Sequence, residues 1–349
     1  MKELRFIEAS PDDSYFVWQV HLWLESLKQI DHSDKAIILV FTPADRKILN
    51  PKWQQLVELY PEASFNFYND DDNISAYLPT YIPILRPYIL WRYFKDHPEI
   101  SANAIFYCDC DVVFTKNFNV DKFIEDDICY LSDTTSYINA SYFDSKIRDV
   151  RPDKLEEYKT RDILAEVASV VGVSREICEQ HNADSGGAQY LLKNIDANFW
   201  KKVMTDCLVI KHYLGKVNRD FFESENKGFQ SWCADMWAVL WNLWIRDLEV
   251  KVIPEMKFAW SPDSIELLND VGIYHNAGIT GLQMEYGQDA QGNKLFYSCF
   301  LKSKYHQGLD PFKDNQIDAV LSNEESKKHC TWYYCKILKE LHESYKLEY

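Results

Sequence analysis

The run Ala36-Ile37-Ile38-Leu39-Val40-Phe41-Thr42 constrains the fold of this chain more than any other segment. It is apolar without alternation and rich in branched side chains, so as a strand it must be covered on both faces. Strands of that kind belong to parallel sheets with helices packed above and below. The flanking segments agree with this. Leu4 to Ala9 reads as a first strand, and Ser10-Pro11-Asp12-Asp13-Ser14 is a turn cluster that starts a helix. Apolar residues at 16, 17, 20, 23, 24 and 27 then recur at helical spacing, which predicts an amphipathic helix over Tyr15 to Gln29. Pro51 to Tyr60 reads as a helix and Ser64 to Tyr68 as a strand. Ile82 to Phe94 keeps helical spacing around Arg86-Pro87, and Ala104 to Cys108 is another buried strand running into Asp109. Strand and helix alternate through this first third, the pattern of a Rossmann-type nucleotide-binding half with its ligand at the carboxyl ends of the strands.

Beyond this point the signal weakens. Residues 133–181 carry many charges and little periodicity, apart from a candidate helix over Ile163 to Val171, and read as an insertion or lid. Helical segments return at Ala188 to Leu192, Phe199 to Leu214 and the Trp-rich Phe229 to Trp244. Val250 to Ile253 and Gly272 to His275 read as short strands, and Trp332 to Leu341 as a terminal helix. No internal repeat and no low-complexity linker interrupts the chain. The expected organisation is one domain over 1–305, with a nucleotide-binding half at 1–120 and a second half at 121–305, followed by a helical extension at 306–349.

Composition narrows the class of function. The 38 Lys+Arg against 54 Asp+Glu give a formal charge of −16, which repels a polyphosphate backbone and disfavours nucleic acid as a partner. Aromatics reach 15%, with 11 Trp and 22 Tyr, and rings with a polar tip suit flat polar ligands such as nucleobases and sugars. Nine cysteines, an odd number, follow no disulfide spacing and fit a reducing compartment; Cys108 and Cys110 form C-x-C without a second pair at zinc-finger spacing. The first residues hold no apolar leader, and no apolar run of about 18 residues occurs, so a cytoplasmic protein without a membrane span is expected.

The chemistry concentrates in Ile105-Phe106-Tyr107-Cys108-Asp109-Cys110-Asp111-Val112-Val113-Phe114. Carboxylates at i and i+2 just past an apolar strand point the same way in extended backbone, so Asp109 and Asp111 can both reach one hard divalent cation. Such an ion neutralises a leaving diphosphate as a Lewis acid. Asp235 is a second marked position, a carboxylate inside the otherwise apolar segment Phe229 to Trp244, where an acid needs a partner or a job. Of the tryptophans there, 232, 237, 241 and 244, the spacing favours core over a sugar-stacking platform.

With these residues in place the sequence resembles glycosyltransferases of the GT-A fold, whose D-x-D at the end of the fourth strand holds Mn²⁺ or Mg²⁺ on a nucleoside diphosphate sugar. Further pieces match in chain order. Arg86, in Leu85-Arg86-Pro87, looks like the basic residue these families place near the diphosphate. Asp184-Ser185-Gly186-Gly187-Ala188-Gln189 is similar to the N-S-G loop of glycogenin-like enzymes, and His275, in Tyr274-His275-Asn276-Ala277-Gly278, resembles their His-x-x-Gly, whose His is the third metal ligand. The segments Tyr15 to Gln19 and Trp232 to Trp237 also look like the plant peptidyl hydroxyproline arabinosyltransferase and serine galactosyltransferase group. The Lys-Pro-Trp that follows His-x-x-Gly in glycogenin is absent, Ile279-Thr280-Gly281 standing there instead, which leaves Lys302 or Lys304 to supply that basic contact.

The resemblance implies a GT-A-like α/β fold with a mostly parallel central sheet flanked by helices and a C-terminal helical elaboration. It implies transfer from a nucleoside diphosphate sugar, with UDP as carrier, to an acceptor hydroxyl with retention of configuration. Asp109, Asp111 and His275 would hold Mn²⁺ or Mg²⁺, and the mixed Asp₂His set suits Mn²⁺. Arg86, Ser185, Gly186, Gly187 and Gly278 would line the donor site, and Asp235 and Asp184 would serve the reacting sugar. The bland readings are a glycine turn with positive φ at 186–187 and a helix cap at Asp184. Three rivals are a nucleotidyltransferase, for which Ser10 to Asp13 lacks a Gly-rich phosphate loop, a glycosyltransferase of hydroxylated DNA bases, and a sugar-binding module without activity.

Overall fold

The computed structural model describes residues 1–43, 49–224, 227–306, 308–347 and 349. Its strands are β1 (Leu4–Pro11), β2 (Ala36–Thr42), β3 (Ser64–Asn69), β4 (Ala104–Tyr107), β5 (Val112–Phe114), β6 (Cys129–Leu131), β7 (Tyr190–Leu192), β8 (Val250–Val252), β9 (Phe258–Trp260), β10 (Ile273–His275), β11 (Gln283–Gln288) and β12 (Lys294–Ser298). The longer helices are α1 (Ser14–Lys28), α2 (Pro51–Leu59) and α3 (Leu85–Asp96), then, past the short helices of 140–180, α4 (Ala197–Phe221), α5 (Ala234–Ile245) and, near the end, α6 (Cys330–Tyr345). Seven strands form one mostly parallel α/β sheet in the order β3-β2-β1-β4-β7-β6-β8, as the sequence implied, with β7 running antiparallel to both neighbours. All seven residues of β2 are buried, which is what its unbroken apolar run requires.

The chain divides into two compact units built from interleaved segments. Unit one comprises Met1–Arg5, Tyr68–Tyr107 and Lys122–Pro254. In it β7 pairs antiparallel with β4, Tyr107 opposite Tyr190, and with β6, which pairs in parallel with β8. Asp196 caps α4 by accepting the Phe199 N–H at 2.8 Å, satisfying one of the orphan donors of a helix start. Helix α3 is entered through a 3₁₀ turn at Ile82–Ile84. Pro87 falls in its first turn, where a missing N–H costs nothing. Residues 140–180 fold as four short helices.

Two expectations fail in this unit. Ala188 to Leu192 is a bend and strand rather than a helix: Ala188 takes φ 69°, left-handed backbone that no helix accommodates, and Tyr190-Leu191-Leu192 is claimed by β4 and β6. The Trp-rich helix starts at Ala234, not Phe229, because Ser231–Cys233 forms a 3₁₀ turn.

Unit two comprises Phe6–Phe67, Cys108–Asp121 and Glu255–Tyr349. Asp13 caps α1, accepting the Tyr15 N–H at 2.8 Å. A three-stranded sheet in the order β5-β10-β9 was not foreseen. Its strands have three residues each, too short to show a period. Here β10 runs antiparallel to β5 and parallel to β9, so that His275 lies opposite Val112 on one side and Trp260 on the other. The nine cysteines are free thiols; all but the half-buried Cys233 are buried. Among the described residues no helix is long and apolar enough to cross a membrane.

Candidate active site

In unit two the segment that begins at Cys108 passes through Asp109-Cys110-Asp111 into β5. Backbone bonds at both ends fix this passage: Cys108 N–H donates to the Ile7 carbonyl at 3.3 Å, and Val112 N–H donates to the Asp109 carbonyl at 3.3 Å. Asn276 N–H donates to the Asp111 carbonyl at 2.9 Å, extending the β5–β10 pairing by one residue. That register brings the His275 imidazole to Asp111. One ligand atom from each of Asp109, Asp111 and His275 lies within 4.8 Å of the others. His275 Nε2 stands 3.3 Å from Asp111 Oδ1. Its ring is stacked on Trp260 at 5.6 Å with an interplanar angle of 14°, which fixes the direction of its nitrogens.

Asp111 is 7% exposed, and its Oδ1, shut off from solvent, has the His275 imidazole 3.3 Å away without a well-formed hydrogen bond. A buried carboxylate oxygen so weakly compensated is costly. A cation held between it, Asp109 and His275 would satisfy it. Two carboxylates and an imidazole form a donor set that can take a divalent cation, and the cluster fits the D-x-D motif. The other oxygen of Asp111 is ion-paired with the Lys302 ammonium, both side chains largely buried. Burial alone would push the Asp111 carboxyl up; Lys302 and then His275 more than offset this and hold it well below the usual carboxylate range. Of the two lysines considered for the basic contact, the structure therefore brings Lys302 to the cluster, whereas Lys304 pairs with Asp314 at 2.7 Å.

Glu8, on β1, is a neighbour that residue patterning did not mark. It is fully buried, accepts a hydrogen bond from Ser10 Oγ at 2.6 Å through one oxygen, and leaves the other without a partner. Burial, with a smaller push from Asp109, raises its pKa to about 8, although the Ser10 bond works the other way. The folded protein holds the proton that the unfolded chain releases near pH 4.5. Glu8 therefore contributes stability that is complete below about pH 4.5 and is lost as pH rises through about 8. Glu8→Gln should flatten that decline; unfolding free energies from about pH 4.5 to 8.5 that run parallel for both proteins would contradict it.

Unit one holds the remaining expected residues other than Gly278. Asp235, 7% exposed in the first turn of α5, is ion-paired with Arg86 of α3. It also receives the Tyr81 hydroxyl at 3.3 Å, while its own N–H donates to the Tyr81 oxygen at 2.8 Å. The acid in an apolar helix thus has its partner. Asp184 lies at the end of a 3₁₀ turn, and its Oδ1 accepts the Val252 N–H at 3.1 Å; with no helix after it, it caps none. Ser185 is buried and donates to the His181 carbonyl at 3.2 Å.

Neither Gly186 nor Gly187 has positive φ. Gly186 is required by close packing, since a Cβ there would lie 2.4 Å from the Ser132 carbonyl oxygen and 2.8 Å from the Val252 side chain. At Gly187 a Cβ would meet the Tyr190 hydroxyl at 2.7 Å. Gly186→Ala should cost about 2–3 kcal/mol through this overpacking, read as a fall in the unfolding midpoint; an unchanged midpoint would refute it. Gly278, in unit two, is exposed in its loop, and a Cβ added to it would have nothing within 4 Å.

No family model matches the chain, and no curated protein matches it. Solved structures do. The bifunctional glycosyltransferase WbbM is similar at 11% identity and a TM-score of 0.42 over 79% of this chain, which spans 46% of WbbM. The galactosyltransferase LgtC, solved with donor and acceptor sugar analogues, is similar at 11% identity and a TM-score of 0.40, covering 83% of this chain and 91% of its own. Mouse xyloside xylosyltransferase 1 is similar at 9% identity and a TM-score of 0.35, covering 80% and 99%. These likenesses are distant, and the residues of the chain itself carry the functional case.

Proposed function

We propose that the protein is a metal-dependent glycosyltransferase that moves a sugar from a nucleoside diphosphate donor, a UDP-sugar, to an acceptor hydroxyl with retention of configuration. The observation that carries this reading is the buried, half-satisfied Asp111 carboxylate set beside Asp109 and His275. Asp109, Asp111 and His275 hold Mn²⁺, or Mg²⁺ in its place. When bound, the ion supplies Lewis-acid neutralisation of the leaving diphosphate. Lys302, largely buried and ion-paired with Asp111, adds a second positive group for phosphate oxygens. Gly278, with open space where a side chain would stand, lets the donor approach the backbone. In unit one, Arg86 and Asp235 offer fixed donors and acceptors to sugar hydroxyls, and Asp184 a further carboxylate. Ser185 and Gly186 are buried and Gly187 is tightly packed, so their part is to set the position of Asp184 against β8 rather than to touch the donor.

The glycosidic bond to phosphate breaks with its electron pair going to the diphosphate, and the acceptor oxygen forms the new bond as its proton passes to the leaving diphosphate oxygen. Fixed charges around the leaving group favour that charge separation. The test is release of UDP from a UDP-sugar panel by purified protein with Mn²⁺, and the anomeric configuration of any product by NMR. Turnover that persists unchanged in excess EDTA would remove the metal from the account, and an inverted product would remove retention.

A further inference from the structure

One tryptophan stands apart from the rest. Trp232 leaves 53% of its surface in solvent, whereas Trp237 and Trp241, further along the chain, are buried. An indole normally buries about 150–250 Å², so a rigid one held in water points to a use. Its backbone is rigid: Ser231 Oγ accepts from Lys211 Nζ at 2.9 Å, Gln230 N–H donates to the Tyr142 hydroxyl at 2.9 Å, and Cys233 N–H closes the turn on the Gln230 carbonyl at 2.9 Å. The ring lies edge-on to Tyr81, centroids 5.9 Å apart. The hydroxyl of that same Tyr81 is bonded to Asp235, which is paired with Arg86. Trp232 and Asp235 are three residues apart across the start of α5, a spacing that sets side chains on one face.

The exposed indole therefore rests on the buried Tyr81, which joins it to the largely buried Asp235 carboxylate and to the Arg86 guanidinium, 20% of whose side chain reaches solvent. We propose that Trp232, held in place by Tyr81, forms with the edge of the Arg86–Asp235 pair a platform for a pyranose ring. A pyranose has an apolar C–H face that lies on an indole and a rim of hydroxyls that donate to a carboxylate and accept from a guanidinium. A purely apolar partner would leave the Arg86–Asp235 pair unused, and a polyanion would be repelled by Asp235. The inference deepens the glycosyl-transfer reading and rests on it for the use made of the bound ring. Two sources share this chemistry, the sugar of a nucleotide donor and a free glycan acceptor.

Saturation-transfer NMR on the whole protein separates them, with one arm of free di- and trisaccharides and another of UDP-sugars plus Mn²⁺, each repeated on Trp232→Ala and Trp232→Phe. Trp232 packs little, so both variants should keep the wild-type unfolding midpoint. Saturation of pyranose protons is expected in at least one arm, with affinity about tenfold lower in Trp232→Ala, the loss of one stacking contact, and partly kept in Trp232→Phe. Loss in the first arm identifies an acceptor, and loss in the second the donor sugar. Pyranose binding equal in wild type and Trp232→Ala, or no saturation in either arm, overturns the platform. If Mn²⁺-dependent nucleotide binding persists in that case, the transferase reading stands without it. If sugars bind through Trp232 while no nucleotide binding depends on metal, the platform stands and the transferase reading falls.

Discussion

Asp111→Asn is expected to abolish metal-dependent donor binding and to lower stability by about 3–5 kcal/mol, the range for breaking a buried ion pair by removing one partner. Both effects follow from the two oxygens of one side chain. Oδ1 faces His275 and the metal position, so its loss should weaken metal binding by more than the roughly 10–100-fold that removing a ligand's supporting partner costs. Oδ2 is paired with Lys302, whose side chain is only 13% exposed, and an amide leaves that ammonium buried without its counter-charge. The two effects are separable. Asp111→Leu combined with Lys302→Met should recover most of the stability, because a buried pair is often replaced by apolar groups without loss, yet should not recover metal binding. Chemical denaturation and metal titration on the same set of variants check this. A single Asp111→Asn variant as stable as wild type would show that the Lys302 pair carries no weight.

Asp235→Asn is expected to cost about 3 kcal/mol, the low end of the same range because 20% of the Arg86 side chain reaches solvent. Arg86→Met should cost a similar amount. The two changes share one interaction, so the double variant Arg86→Met/Asp235→Asn should lose clearly less than the sum of the single losses. Additive losses in a denaturation cycle would contradict a direct pair. Under the proposed function donor turnover should fall in each variant, including the double one, because the groups proposed to meet sugar hydroxyls are gone even where stability returns.

Much of this fold was legible because long apolar elements announce themselves. The unbroken run at 36–42, the stripe behind Asp13 and the strand leading to Asp109 appear where periodicity placed them, within a residue or two. The failures are short or strained. Residues 188–192 look helical by composition, but one positive φ at Ala188 and two strands competing for Tyr190–Leu192 decide otherwise. Three-residue strands such as β5, β9 and β10 have no period to read, and they are the elements that carry His275 to Asp111.

At the site, the acidic pair and the histidine were legible from residue type and order. The ion pairs were not, because Lys302 and Lys304 are equivalent in sequence and only the 3₁₀ turn at Lys302–Tyr305 sends one to Asp111 and the other to Asp314. Glu8 carried a readable signal. Like Asp235, it is an acid within an otherwise largely apolar element, here the strand Leu4–Pro11. At 186 and 187 positive φ is not what demands glycine; the close approach of the protein's own backbone and side chains is, and a contact of that kind leaves no local trace in sequence.

The most direct test of the central claim is thermal unfolding of the protein with UDP-, GDP- and ADP-sugars, with and without Mn²⁺, beside Asp109→Asn. Asp109 is half-buried, unlike Asp111, and keeps the Asp111–Lys302 pair intact when changed. A ligand that binds only the folded state at about 100 times its Kd adds roughly 2.7 kcal/mol, a readily measured rise in midpoint. At least one donor should stabilise the wild type only when Mn²⁺ is present, and Asp109→Asn should show no such rise. Stabilisation by no donor, or an equal rise in Asp109→Asn, would contradict the account.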